Sequence, residues 1–144
     1  MKGFLRIAVA CYDLLLDVDG VQEILELESG AATHRDWRGR LLACIDAHAL
    51  LGMDAGDRAD TARIGVVYQV MMDDRTPPVI LEADRIKRLI YLDDADFLPL
   101  PAVPLRVLAL FDKVYPDPDS GAQVYRLRRP LQAEVVASTP GVAS

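Results

Sequence analysis

The sequence predicts a mainly β fold in which two small closed barrels pack on each other along a shared apolar seam, with one or two short helices. Three observations carry the prediction. Its apolar runs are short, rich in Val, Ile and Leu, and bounded by Gly, Pro and Asp, which is strand chemistry rather than helix chemistry. The same pattern occurs twice in the same order. No helical stretch is long enough to make the crossovers of a parallel sheet.

The elements follow in chain order. Arg6-Ile7-Ala8-Val9-Ala10-Cys11 reads as a first strand, and it returns as Arg63-Ile64-Gly65-Val66-Val67-Tyr68. Residues 14–19 followed by Val21, Ile24, Leu25 and Leu27 return as residues 79–84 followed by Ile86, Leu89, Ile90 and Leu92. Arg40-Leu41-Leu42-Ala43-Cys44-Ile45-Asp46 returns as Arg106-Val107-Leu108-Ala109-Leu110-Phe111-Asp112, an apolar strand fenced by the same two charges. One match of this kind would mean little, because short apolar strands align readily with one another. Three in collinear order define two related halves, 4–53 and 63–115. The first block returns over a shorter distance than the others, so the second half has about eight extra hairpin-loop residues within 69–77.

Between these blocks, residues 18–24 make either one helical turn capped by Asp19 or a bent strand. Residues 47–51 form a helix of about two turns, with Asp46 as N-cap and Gly52 as stop. Residues 122–128 alternate and give a last strand ended by Pro130, and 130–144 form a frayed tail. Each half is too small for a generous core of its own, so the two lobes must share one.

Composition narrows the class. With 144 residues, 51 % hydrophobic and 26 % charged, the chain is a globular domain, and it has no apolar run long enough to span a membrane. Sixteen Lys and Arg against 22 Asp and Glu give a net charge of −6, which disfavours nucleic acid and anionic membranes and points to protein partners. The basic cluster Arg126, Arg128 and Arg129 is charge balance in an acidic chain. Arg6 interrupts any secretory signal, and Ala8-Val9-Ala10-Cys11 sits in a strand rather than at a lipoprotein cleavage site, so a cytoplasmic protein is expected. Cys11 and Cys44 lie in apolar contexts and are expected buried and reduced. Neither His34 nor His48 stands at ligand spacing from them, so no metal site is expected.

Val21-Gln22-Glu23-Ile24 after a strand, then Arg38-Gly39 opening the strand that ends at Asp46, resembles the CheW-like chemotaxis coupling-protein family. Pro78-Val79-Ile80-Leu81-Glu82-Ala83-Asp84-Arg85-Ile86, then Leu98-Pro99-Leu100-Pro101 and residues 107–112, follow in the family's order, so the resemblance covers residues 4–129. It implies one CheW-like domain over 1–129, built of two intertwined five-stranded SH3-like barrels, in which 122–128 can cross back to complete the first lobe. It also implies a non-enzymatic adaptor that joins the cytoplasmic tip of a chemoreceptor to the regulatory domain of a CheA-type histidine kinase in a signalling array, with no cofactor. Carried over residue by residue, Val21, Glu23, Arg38 and Gly39 match positions associated with partner contact. Two departures mark a divergent member: Asp36-Trp37 replaces an Asn-Leu pair, and residues 28–35 are shorter than the family's loop. Trp37, the only tryptophan, either fills the space this leaves or anchors a partner, and the usual burial of aromatics favours packing.

Two other classes compete with the adaptor. One is a small-ligand-binding or regulatory β-barrel module outside chemotaxis. The other is a metal-dependent enzyme using Asp73 and Asp74 or Asp93 and Asp94, although adjacent carboxylates point to opposite faces of a strand and in loops serve as turn formers. No Gly-rich phosphate loop and no nucleophile elbow is present in the sequence.

Overall fold

The structure is a computed structural model that describes residues 1–28, 32–52, 63–73, 75–102 and 109–130. The strands are β1 (Lys2–Val9), β2 (Tyr12–Asp17), β3 (Val21–Leu27), β4 (His34–Trp37), β5 (Arg40–Asp46), β6 (Arg63–Tyr68), β7 (Val79–Ala83), β8 (Arg85–Leu92), β9 (Leu98–Pro99), β10 (Phe111–Pro116) and β11 (Gln123–Leu127). A single α-helical turn, α1 (Ala47–Leu50), follows β5, and 3-10 turns occupy Val18–Gly20 and Asp94–Asp96. Among the described residues no helix is long and apolar enough to cross a membrane.

The fold is mainly β, as expected, in two sheets. One has the order β8-β1-β2-β11-β10-β9 and the other β3-β6-β7-β5-β4. The six-stranded sheet exceeds the expected five by β9, which is two residues long. Each sheet draws strands from both halves of the sequence. After the β1–β2 hairpin the chain turns at Val18–Gly20 and enters the second sheet as β3; after the β6–β7 hairpin it turns at Asp84 and enters the first sheet as β8. The parallel partner of β7 is β5, and the parallel partner of β2 is β11. The strand in the position of β5 is therefore β11, whereas the third sequence block places its second copy at 106–112. Residues 106–108 of that copy lie outside the described residues, as does the expected tail from Leu131 on.

Why the hairpin strands are continuously apolar follows from this exchange. Leu5, Ile7, Val9, Leu14 and Leu16 of the first hairpin meet Val66, Tyr68, Val79 and Leu81 of the second in one central core between the sheets. Residues on the opposite faces fill two further cores. Phe4 and Leu15 pack with Leu92, Phe97 and Val124, while Val67 and Ile80 pack with Trp37, Leu42 and Cys44. Strands buried on both faces cannot alternate with polar residues, and these do not.

The crossovers are fixed by polar contacts. The Gln69 N–H donates to the Gly20 carbonyl at 2.8 Å, and Arg129 Nε donates to the Gln69 carbonyl at 2.9 Å. A Cβ on Gly20 would stand 2.7 Å from the Tyr68 ring and 2.9 Å from Arg129 Nε, so only glycine fits there. At the second crossover the Asp84 N–H donates to the Ala8 carbonyl, and the Asp84 carboxylate accepts from the Ala10 N–H at 2.6 Å and lies 2.9 Å from His48 Nε2.

Two expectations need correction. Helix α1 has the expected Asp46 cap, which accepts from the His48 N–H at 2.9 Å, but it closes after one turn instead of two. Cys44 is buried, whereas Cys11 is exposed: β1 stops at Val9, and Ala10 and Cys11 form the two-residue hairpin turn, with Ala10 at φ 54°. An apolar neighbourhood in sequence does not bury a residue at a turn tip. Residues 18–24 combine both alternatives, a 3-10 turn followed directly by β3, and the second hairpin loop is the longer one, as expected.

The repeated Arg6 is buried at 4 % exposure. Its Nε and a terminal nitrogen donate to Asp13, its other terminal nitrogen donates to Asp117 at 2.8 Å, and Lys87 adds a contact to Asp13 at 2.9 Å. Burial alone would raise the Asp13 carboxyl, but hydrogen bonds from Lys87 and Arg6 and their charges hold it below its usual value. Arg6 first, then the Asp119 N–H and the Ser120 hydroxyl, hold Asp117 well below the carboxylate range. Both folded-state values lie under the unfolded value near 3.8, so this contribution is complete above that pH and is lost below it, as pH falls through the folded values. Arg6→Met should cost about 3 kcal/mol in urea unfolding at neutral pH and flatten the acid limb of stability. The thiols give a second check. Burial and then the charge of Glu82 push the Cys44 thiol up to about 11, so a thiol reagent should modify Cys11 at once in the native protein and Cys44 only on unfolding.

Candidate functional site

Four of the five residues singled out from sequence converge on one end of the five-stranded sheet. β4 and β5 form a hairpin in which Trp37 opposes Arg40, so Arg38 and Gly39 are the two turn residues. Their φ values are 51° and 76°. A two-residue hairpin of this kind requires positive φ at both central positions to match the strand twist, which explains the glycine and leaves Arg38 in a conformation that non-glycine residues adopt at a cost. The turn lifts the Arg38 side chain out of the sheet, where it is 68 % exposed.

That side chain reaches across the sheet's open seam. β3 and β4 are the two outermost strands of the sheet, and Arg38 donates to Glu23 of β3 at 2.8 Å. The Arg38 guanidinium also lies 4.8 Å from the centre of the Trp37 ring. Trp37 is only 9 % exposed and packs with Leu42, Cys44, Val67, Ile80 and Leu25. It thus plugs the mouth of the curled sheet, with the ion pair lying over the plug. Its indole N–H is buried without a partner, so shape rather than hydrogen bonding selects tryptophan at this position.

A bulge sets the aim of Glu23. The β3–β6 register slips between Val21 and Glu23, which oppose Tyr68 and Val67 respectively, and Gln22 is the extra residue. Val21 is half-buried and packs against the central core, so it stands on the same edge strand but faces the sheet junction instead of the ion pair. Two residues that the sequence reading placed inside the apolar pattern are exposed here: Ile24 at 47 % and Leu41 at 71 %. The signal that could have found them is position, since both lie on the outer strands or just after the turn, and edge position is not encoded in a run of apolar letters.

The competing candidates are occupied locally. The Asp73 carboxylate accepts from the backbone N–H groups of Arg75 and Thr76 at 3.0 and 2.7 Å, and the Thr76 N–H is the leading cause of its lowered pKa. Asp74 lies outside the described residues. Asp93 and Asp96 bond each other's segment in a 3-10 turn, the Asp93 N–H donating to Asp96 at 2.8 Å. Among the described residues no three His, Cys, Asp or Glu side chains gather where a metal could sit. A cavity of about 370 Å³ opens beside Arg6, lined by Cys11, Tyr12, Lys87, Gln123 and Tyr125, and the charges that line it are already paired with one another. In the last-strand basic cluster, Arg126 is bidentate to Asp112 at 2.8 and 2.9 Å, and Arg129 is held by Gln69.

Because the Glu23–Arg38 pair is exposed, its contribution to stability is small. A double-mutant cycle of Glu23→Ala and Arg38→Ala, followed by urea unfolding, should give a coupling of about 0.5 kcal/mol that shrinks in high salt. Gly39→Ala should cost more, about 1 kcal/mol, because it strains the turn directly.

No family model matches the sequence, and no curated protein matches it. Among solved structures, the fold is similar to that of the scaffolding protein TtCheW from Thermoanaerobacter tengcongensis, with a TM-score of 0.69 and 15 % sequence identity over 88 % of each chain. At that identity the likeness is one of architecture, and it extends over nearly the whole of both chains. The chain shares the two-lobed fold of a CheW scaffolding protein.

Proposed function

We propose that this protein is a non-enzymatic adaptor of the chemotaxis-coupling type, joining a chemoreceptor cytoplasmic tip to the regulatory domain of a histidine kinase on the cytoplasmic side of a receptor array. The observation that carries the reading is the Glu23–Arg38 pair over Trp37, in a chain that shares the fold of a scaffolding protein. A charge pair exposed at the rim of an apolar surface contributes little to folding but sets orientation and partner choice in binding. Ile24 on the outer strand β3 and Leu41 just after the turn, on β5, supply exposed apolar area on the same sheet. Val21, Glu23, Trp37, Arg38 and Gly39 take distinct parts in the contact. Glu23 and Arg38 offer their charges, Gly39 holds the turn that presents Arg38, Trp37 supports the guanidinium from beneath, and Val21 ties the edge strand to the core. The reading requires no cofactor and no catalytic group.

The test is binding of the purified protein to a receptor cytoplasmic tip and to a kinase regulatory domain from the same genome. Both should bind, Arg38→Glu should weaken binding to at least one of them about tenfold or more, and the charge swap Glu23→Arg with Arg38→Glu should restore part of the loss; binding to one partner alone would overturn the joining role. Binding to neither partner, across all receptors and kinases of that genome, would overturn the adaptor reading and leave the fold assignment intact.

A further inference from the structure

The six-stranded sheet has an unusual edge. β8 pairs with β1 on one side, and no strand lies on its other side among the described residues. It is eight residues long, Arg-Ile-Lys-Arg-Leu-Ile-Tyr-Leu, and carries three cations and no acid in a chain of net charge −6. Arg85, Lys87 and Arg88 are exposed, as are Leu89 at 47 % and Tyr91 at 58 %. Lys87 contacts Asp13, whereas no ion pair among the described residues engages Arg85 or Arg88.

Long edge strands present rows of unpaired backbone donors and acceptors, and proteins usually blunt them with proline, a bulge, a covering element or charged side chains; the cations of β8 disfavour another basic or neutral edge but not an acidic one. β8 has no proline. Its bulge lies near the start, at Lys87, where the register with β1 slips between Arg6 and Ile7, and the stretch from Arg88 to Leu92 runs regularly. The strand in the equivalent position of the other sheet, β3, carries Gln22, Glu23 and Glu26 and has Glu23 tied to Arg38. The two outer strands thus differ in charge sign: Glu23 of β3 is held by the turn at the far edge of its sheet, whereas on β8 only Lys87 is held, by Asp13 of β2, and Arg85 and Arg88 point to no ion-pair partner among the described residues.

We propose that the outer edge of β8 docks an extended acidic segment of a partner protein. The segment adds to the six-stranded sheet as a further strand, with carboxylates against Arg85 and Arg88 and apolar residues over Leu89 and Tyr91. Backbone hydrogen bonds along the edge supply affinity, and the alternating side chains supply selectivity. A second copy of this chain is a poorer occupant, because its own acidic edge would have to release Glu23 from Arg38 before pairing. The surface lies on the other sheet from the Glu23–Arg38 pair and does not depend on the adaptor reading.

The probe is a short blocked peptide alternating glutamate with valine, with an alternating lysine–valine peptide as control, titrated into isotope-labelled full-length protein. Amide shifts and slowed hydrogen exchange should concentrate on residues 85–92. Arg85→Glu with Arg88→Glu, both exposed and therefore compatible with folding, should weaken binding about tenfold, while Arg38→Glu leaves it unchanged. Absence of shifts on β8, or equal binding of the lysine peptide, would overturn the proposal. So would concentration-dependent self-association in sedimentation that the double charge reversal abolishes, since that would make a second copy the occupant.

Discussion

Everything else in this structure depends on the burial of the β1–β2 and β6–β7 hairpins on both of their faces. Leu14 and Leu16 look into the central core while Leu15 between them looks into the core of its own sheet; Val79 and Leu81 repeat the arrangement around Ile80. A hairpin with two apolar faces cannot stand at a surface, so each must be covered once by the other hairpin and once by strands delivered from elsewhere in the chain. The exchange of β3 and β8 meets that demand. It also means that neither sheet can be completed by one half of the sequence alone, and the turns at Gly20 and Asp84 are where this is decided.

The buried charges follow the same geometry. Arg6 projects from β1 on the face away from the central core, where Asp13 of β2, Lys87 of β8 and Asp117 beyond β10 converge on it. Its repeat counterpart Arg63 lies 2.9 Å from Glu82 of β7 and 3.5 Å from Asp46 at the end of β5, with Arg35 of β4 3.7 Å from the same glutamate. Each network connects a hairpin to strands brought from the other half of the chain. Buried pairs of this kind add little net stability over an apolar replacement, but they penalise any arrangement that leaves one member unpaired. They therefore select this exchange of strands against a simpler packing of two separate halves.

Much of this was legible in the sequence, because the demand for double burial writes itself into unbroken apolar runs and the pseudo-symmetry writes itself into repeated blocks. The strands, the Asp46 cap, the long second hairpin loop and the packing of Trp37 are local or compositional matters that a sequence can express. The exchange was legible only through the resemblance, which implied intertwined barrels with 122–128 crossing back, and β11 does pair with β2; the strands themselves carry no mark of which sheet they join, because that depends on one glycine too crowded for a Cβ and one aspartate receiving a neighbour's N–H. For the same reason the third repeat block pointed to 106–112, whereas parallel pairing places β11 opposite β2. At the candidate site, Arg38-Gly39 was visible as a turn and Glu23 as a charge. Their meeting across fifteen residues of chain was visible only through resemblance, because it requires the sheet to curl until its outermost strands face each other. Cys11 was expected buried and is exposed because an apolar letter next to other apolar letters looks interior even when it sits at a turn, and Ile24 and Leu41, within apolar blocks, are exposed at an edge and after a turn for the same reason.

The two sheets treat their edges in opposite ways, and that asymmetry bears on how one small domain could hold two partners at once. The five-stranded sheet closes its seam with a hairpin turn, a tryptophan and an ion pair, so what it offers is a preformed rim of side chains with little backbone to share. In the six-stranded sheet β8 has no strand on its outer side among the described residues, and that edge presents backbone as well as charge. A rim of side chains suits a folded surface that arrives already shaped; an open edge suits a segment that takes its shape on arrival. Because the central core welds the hairpins of both sheets into one body, occupants of these two surfaces would be held in a fixed relation without any hinge between them. On the adaptor reading proposed above, that fixed relation would carry the orientation of one partner to the other through packed side chains instead of through a linker.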